Sequence, residues 1–426
     1  MASRRQPRNL VFGINLRVVG ATLELAVAFA LSVLATQATY AQTFTVQHNF
    51  TDGHDGGSPF AGLTMSKAGV LYGTAVYGGA GNGTVFKLSQ KNSKWVFTPL
   101  YSFAGGNDGA YPQARVIIGP DGALYGTTQL GGNGHGTVFR LAPPATACKT
   151  ALCPWTETVL YRFSGGADGD NPLAEVVFDQ AGNLYGTTYL GGGGTCNTSY
   201  PCGVVYKLTR SNGSWTESVL YSFTGGGDGG ASTAGLIFDS AGSLYGTTTV
   251  GGLNNRGTVF QMTPTGSGWT ENVLYSFMGG DGYQPVGGLT FDQQGNLYGT
   301  TIHGGSVNGG VAFELTSSNG IWAETRLYSF GAQDGDGLAP YGSLVMDPNG
   351  NLYGTTSSGG PGNIGNIFEL TPASGGWTST VLYNFTDGST GANPFGGLIF
   401  DANGNLYGTT GSGGTDGWGV VFEVTP

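Results

Sequence analysis

An all-β fold, a seven-bladed β-propeller of four-stranded blades, is predicted by three observations: a tetrapeptide that returns seven times, four short apolar runs in each copy, and two chain ends that complement each other. Leu-Tyr-Gly-Thr begins at Leu71, Leu124, Leu184, Leu244, Leu297, Leu352 and Leu406. Repeats of this length with four short strands each are the pattern of propeller blades, whereas β-solenoid coils are much shorter. In the fourth copy the runs are Gly235 to Asp239 (strand A), Leu244 to Thr248 (strand B), Gly257 to Met262 (strand C) and Trp269 to Phe277 (strand D). Each is bounded by turn residues, and residues 42–426 show no helical apolar period.

The ends predict how the ring closes. Residues from Thr43 to Phe50 align with strand D, and Val420 to Val424 align with strand C. The last copy therefore lacks its D strand, and the first residues supply one. Pairing them removes a sheet edge that would otherwise invite aggregation.

Composition excludes the competing classes. The 426 residues include 81 glycines, 10% charged and 12% aromatic residues, with a formal charge of −10. Collagen would need a three-residue glycine period, and a disordered chain would lack this many aromatics. Sixteen basic against 26 acidic residues give no basic patch for nucleic acid.

Ahead of the repeats, Arg4, Arg5, Arg8 and Arg17 precede an apolar run from Leu25 to Ala35 and small residues ending at Ala41. That order describes a secretory signal, with an uncleaved anchor as the alternative. The expected organisation is a signal peptide over 1–41 and one propeller domain over 42–426, with no stable membrane span in the mature chain. Cleavage after Ala41 removes four of the 16 basic and one of the 26 acidic residues, so 12 remain against 25, a net −13. An exported, periplasmic or extracellular monomer is expected.

Repetition separates scaffold from exception. Each copy has a Gly in Leu-Tyr-Gly, a Gly-Gly pair five residues on, a Gly opening strand C and one before strand B, read as tight turns and close packing. Strand D opens with Trp95, Trp155, Trp215, Trp269, Trp322 and Trp377, expected to pack between blades; sugar stacking would need exposed rings. Asp179, Asp239, Asp292, Asp347 and Asp401 end strand A and read as Asx turns.

The loop from strand D to the next strand A carries Asp55, Asp108, Asp168, Asp228, Asp281 and Asp334, with Thr390 in the seventh copy. Up-down alternation puts the D–A and B–C loops on one face, so these carboxylates are expected around one mouth of the channel. They read first as structural turns and second as a ring for a cation such as calcium or for a polar ligand, since hard cations prefer clustered oxygens. No other cofactor is implied.

Two copies are lengthened, and the extra residues hold the four cysteines. Cys148 and Cys153 lie in a C–D loop, Cys196 and Cys202 in a B–C loop. Two local disulfides are the reading for an exported chain. A four-cysteine zinc site would need both loops together, yet they belong to opposite faces. The histidines His48, His54, His135 and His303 follow no repeat position, and no catalytic or metal-ligand set is recognisable, so no catalytic residue is assigned.

Gly-Asn-Leu-Tyr-Gly-Thr-Thr at 295–301, 350–356 and 404–410, with Gly-Thr-Val-Phe and Leu-Tyr-Ser-Phe elsewhere, resembles the GloVer (Gloeo_Verruco) tandem repeat of bacterial exported proteins. The resemblance covers the whole mature chain. It implies an exported protein, often held at the cell surface by a C-terminal anchor, with no established activity. The sequence ends at strand C without an anchor, so a released or periplasmic form is expected. The function expected is non-enzymatic binding of a protein, glycan or small ligand across the D–A/B–C face. The alternative is an extracellular polysaccharide hydrolase or lyase using carboxylates at the channel mouth.

Overall fold

Seven four-stranded antiparallel sheets stand in a ring in the computed structural model, six made by one repeat each and the seventh completed by the N-terminal strand. It describes residues 42–144, 155–193, 202–266 and 268–425. Thr43–Pro426 forms one compact unit. The described residues contain no helix, and so none long and apolar enough to cross a membrane.

In the fourth blade the strands are Ile237–Phe238, Leu244–Thr248, Thr258–Thr265 and Gly268–Ser276, paired in the order A-B-C-D. The C–D hairpins are the longest ladders, and Asn212-Gly213 and Asn319-Gly320 turn two of them with positive φ, as two-residue hairpin loops require. Strand A is shorter than expected, two paired residues instead of five. Asp239 ends it by accepting the amides of Ala241 and Ser243 at 2.9 and 2.8 Å and the Tyr245 hydroxyl at 3.1 Å. Residues ahead of Ile237 turn toward the ring centre. There successive blades touch through glycine: a Cβ on Gly62 would lie 2.7 Å from the Gly397 carbonyl oxygen, and one on Gly397 would lie 2.9 Å from that of Ser343.

The N-terminal strand closes the ring as the chain ends predict. Thr43–Asn49 pairs with Val420–Thr425, from Thr43 opposite Thr425 to Asn49 opposite Val420. A bulge between Val46 and His48 falls where the other C–D ladders are bulged, as at Val259/Phe260 opposite strand D. Closure thus reproduces the ordinary blade.

Two interactions recur at every blade junction, and a third at five of them. The strand D phenylalanine meets the strand C aromatic of the next blade, as in Phe223–Phe260 (5.2 Å, 68°) and, across the closure, Phe50–Phe86 (5.2 Å, 62°). Such pairs add about 0.5–1.5 kcal/mol beyond burial. The threonine of Leu-Tyr-Gly-Thr donates to a carbonyl at the next inner strand, Thr127 to Ala174 at 2.9 Å and Thr409 to Ala61 at 2.7 Å. Five of the six strand D tryptophans pack edge-on against the preceding blade's strand B tyrosine, as in Trp269–Tyr185 at 5.8 Å and Trp95–Tyr407 at 5.7 Å, and Trp215 packs against the core cluster that contains Tyr125. They are half-buried, in the packing role expected of them.

The glycine of Leu-Tyr-Gly has a different reason from the turn glycines. Gly246 has no positive φ. A Cβ there would lie 2.7 Å from Phe260 Cζ and 2.9 Å from Leu236 Cδ2, so the strand C ring occupies the space. Of the cysteines, Cys202 is fully buried, while Cys148, Cys153 and Cys196 lie outside the described residues.

Candidate functional site

The D–A and B–C loops share one face, and a backbone frame repeats on it seven times. Within a blade, one residue of the D–A loop bridges the start of the B–C loop: Gly57 with Tyr77, Tyr283 with His303, Ala392 with Ser412. The next D–A residue donates its amide to the previous blade's B–C loop, Ser58 to Trp418 (2.7 Å), Tyr111 to Asn82 (2.9 Å) and Gln284 to Arg256 (2.8 Å). That residue has positive φ without being glycine in all seven blades: Ser58, Tyr111, Asn171, Ala231, Gln284, Ala339 and Asn393 lie between 52° and 57°. The conformation costs about 1 kcal/mol or more each time and survives only where surroundings impose it.

Side chains on this frame differ from blade to blade. The residue just before the strand C glycine is Asn82, His135, Cys202, Arg256, Gly309, Ile364 or Trp418. Three groupings result. His135 Nδ1 lies 3.1 Å from Asp170 Oδ1. Arg256 sits 4.3 Å over the Tyr283 ring, which stacks on His303 at 4.9 Å. At the closure, Trp418, Tyr77 and Tyr111 stand in a row, with centroids 6.4 and 6.0 Å apart.

The closure row borders a pocket of 340 Å³ lined by Asp52, Tyr77, Gly78, Gly79, Gly81 and Trp418. Trp418 is 37% and Tyr77 42% exposed. Asp52 has φ 59° where the second, third and fourth blades have Gly105, Gly165 and Gly225, and its Oδ1 is buried without a hydrogen-bond partner. Sequence reading passed over Trp418, Tyr77, Tyr111 and Asp52. Trp418 carried a signal nonetheless, as the one tryptophan of seven outside the strand D position.

The predicted aspartate set lies elsewhere. Asp108 accepts the Tyr101 hydroxyl (2.8 Å) and the Ala104 amide (2.6 Å); Asp168, Asp228 and Asp281 accept Tyr161, Tyr221 and Tyr275 at 3.0, 3.0 and 2.6 Å. Asp55 faces His48 at 3.1 Å. Those partners are on strand D, the outermost strand, so the carboxylates stand at the outer wall and not around the channel mouth. The sixth copy needs a correction. Asp334 is exposed, and Asp336 holds Tyr328 at 2.8 Å and the Gly331 amide at 2.9 Å. That loop is one residue longer than in the second, third and fourth blades, and the carboxylate that reaches the tyrosine is 336 and not 334. Thr390 takes the place in the seventh, 2.8 Å from the Tyr383 hydroxyl.

Facing four of these aspartates, on the next strand D, are Glu157, Glu217, Glu271 and Glu324. Burial first, and then the negative charge of Asp108, Asp168, Asp228 and Asp281 respectively, pushes each up to about 7. Among the described residues no group of three or more His, Cys, Asp or Glu is placed to hold a metal ion. Near the axis, Arg115 Nε and Nη2 each lie 3.1 Å from Glu175 Oε1, at positions held by glycine or serine in the other blades.

The profile of the Gloeobacter/Verrucomicrobia repeat matches residues 31–195, 153–290 and 193–422. The chain belongs to this repeat family. Among solved structures, this Gloeobacter/Verrucomicrobia repeat protein is similar to a protein described as a candidate 6-phosphogluconolactonase from Bacteroides uniformis. The TM-score is 0.51 at 15% identity, over 82% of this chain and 88% of that one. A fungal alcohol oxidase of the AA5 family, solved with copper, has a TM-score of 0.51 at 13% identity, over 90% of this chain and 76% of that one. At these identities the likeness is one of fold alone. No curated protein matches the chain.

Proposed function

We propose that this repeat-family propeller is a non-catalytic binding protein, exported from the cell, that presents its D–A/B–C face to a ligand. One observation carries the reading: that face repeats a strained backbone frame seven times and mounts different side chains on it, while the blade junctions stay nearly uniform. Invariant support under variable side chains is how scaffolds display recognition loops. The closure pocket is lined by one acidic residue, Asp52, where paired-acid hydrolysis needs two, which supports binding over cleavage. Export is supported by the basic-apolar-small order before residue 42 and by cysteines confined to two inserted loops, which we read as two disulfides.

Two measurements test this. Immobilised full chain is screened against extracellular polysaccharides and secreted proteins, alongside Arg256→Ala and Trp418→Ala on the face and Lys94→Ala at a C–D turn on the other. Loss of a ligand by a face variant and not by Lys94→Ala is expected; no ligand at all, or equal loss by Lys94→Ala, overturns the reading. For export, the protein recovered outside the cytoplasm is expected to begin near Gln42, and retention inside with residues 1–41 intact overturns it.

A further inference from the structure

We propose that the pocket at the ring closure binds a neutral saccharide chain through Trp418, Tyr77 and Asp52; this rests on the binding-face reading and names its ligand class. Six of the seven tryptophans are half-buried between blades. Trp418 stands instead at the variable frame position and keeps 37% of its surface in water. Tyr77, the next ring in the row, keeps 42%. Large apolar side chains left in solvent side by side at a concavity mark binding surfaces.

The remaining lining selects the chemistry. A sugar offers C–H faces and many hydroxyl donors, so it needs an aromatic face beside oxygen acceptors. Tyrosine and tryptophan supply rigid faces at small entropic cost, and the Asp52 carboxylate accepts hydroxyl protons. Gly78, Gly79 and Gly81 add no side chain to the lining. Of the six lining residues none is a cation, so the carboxylate disfavours anionic sugars. The volume of 340 Å³ is at the small end of ligand pockets. Tyr111, 6.0 Å beyond Tyr77, continues the aromatic row onto the second blade, so the site fits a chain running over the rim better than a single monosaccharide.

The test is titration of the full chain with cellohexaose, chitohexaose and hexagalacturonate, followed by calorimetry and tryptophan fluorescence. At least one neutral hexaose is expected to bind and to perturb the fluorescence, with hexagalacturonate at least tenfold weaker. Trp418→Ala and Tyr77→Ala are each expected to weaken that binding tenfold or more, while Trp418→Phe keeps most of it and Lys94→Ala, at a C–D turn on the other face, leaves it unchanged. Melting curves of each variant separate lost binding from lost folding. Failure of all three oligosaccharides to bind overturns the proposal, as does preference for hexagalacturonate. Loss on Arg256→Ala with none on Trp418→Ala also overturns it, yet leaves the binding face intact as a reading.

Discussion

His48 Nε2 lies 3.1 Å from Asp55 Oδ2, so a histidine on the closing strand does what tyrosine does on the strand D of the other blades. It also stacks on Phe97 of the first blade at 3.9 Å and 12°. Removing both contacts with His48→Ala is expected to lower stability by about 2 kcal/mol, from one hydrogen bond and one ring contact. His48→Tyr, which installs the residue of the other blades, is expected to recover most of it. Urea unfolding of the three proteins checks this; equal stability of wild type and His48→Ala would show that closure does not depend on the junction.

A pH dependence follows from Glu157, Glu217, Glu271 and Glu324. Their folded values, raised to about 7 from an unfolded 4.5, mean that the folded state takes up protons first. The penalty for burying their charge is present in full above pH 7 and is relieved as pH falls toward 4.5. His48 acts oppositely: burial outweighs Asp55 and lowers its value, so acid works against that one group. Four glutamates outnumber it, and the melting temperature is expected to rise from pH 8 to pH 5.5. Replacing the four with Gln is expected to flatten the profile, and an unchanged slope would refute the assignment.

Tyr206 is the one strand C aromatic of the seven that carries a hydroxyl. It is fully buried, and the hydroxyl has no hydrogen-bond partner. A dry, unpaired hydroxyl costs about 1–3 kcal/mol. Tyr206→Phe is therefore expected to stabilise the protein by about 1 kcal/mol, read as a higher denaturation midpoint at unchanged slope.

Two glycines of one blade separate steric from conformational need. Gly246→Ala drives a Cβ against Phe260 and Leu236 and is expected to cost about 1–3 kcal/mol by overpacking. Gly242 has φ 87° with nothing within 4 Å of a Cβ, so Gly242→Ala costs about 1 kcal/mol through backbone strain alone. Asparagine, which tolerates left-handed backbone, is expected to relieve the cost at 242 and to worsen it at 246. Equal responses at the two sites would overturn the distinction.

Local pattern was enough for the architecture. Seven Leu-Tyr-Gly-Thr marks, four apolar runs per copy and the phase of Thr43 against Val420 specify blade count, strand order and closure, because strand period and turn chemistry act over a few residues. The Asx role of Asp239 and the packing of the strand D tryptophans were legible for the same reason. Tertiary structure alone decided which residues of different blades meet. It placed the Asp108 series on outer-strand tyrosines instead of the channel, exchanged Asp334 for Asp336, paired Arg115 with Glu175, and set Trp418 beside Tyr77 across the closure. Those relations are distances between blades, which depend on ring curvature and the path of each loop, and a periodic sequence records neither. The candidate site is made of departures from the repeat, and only the fold shows which departures stand together.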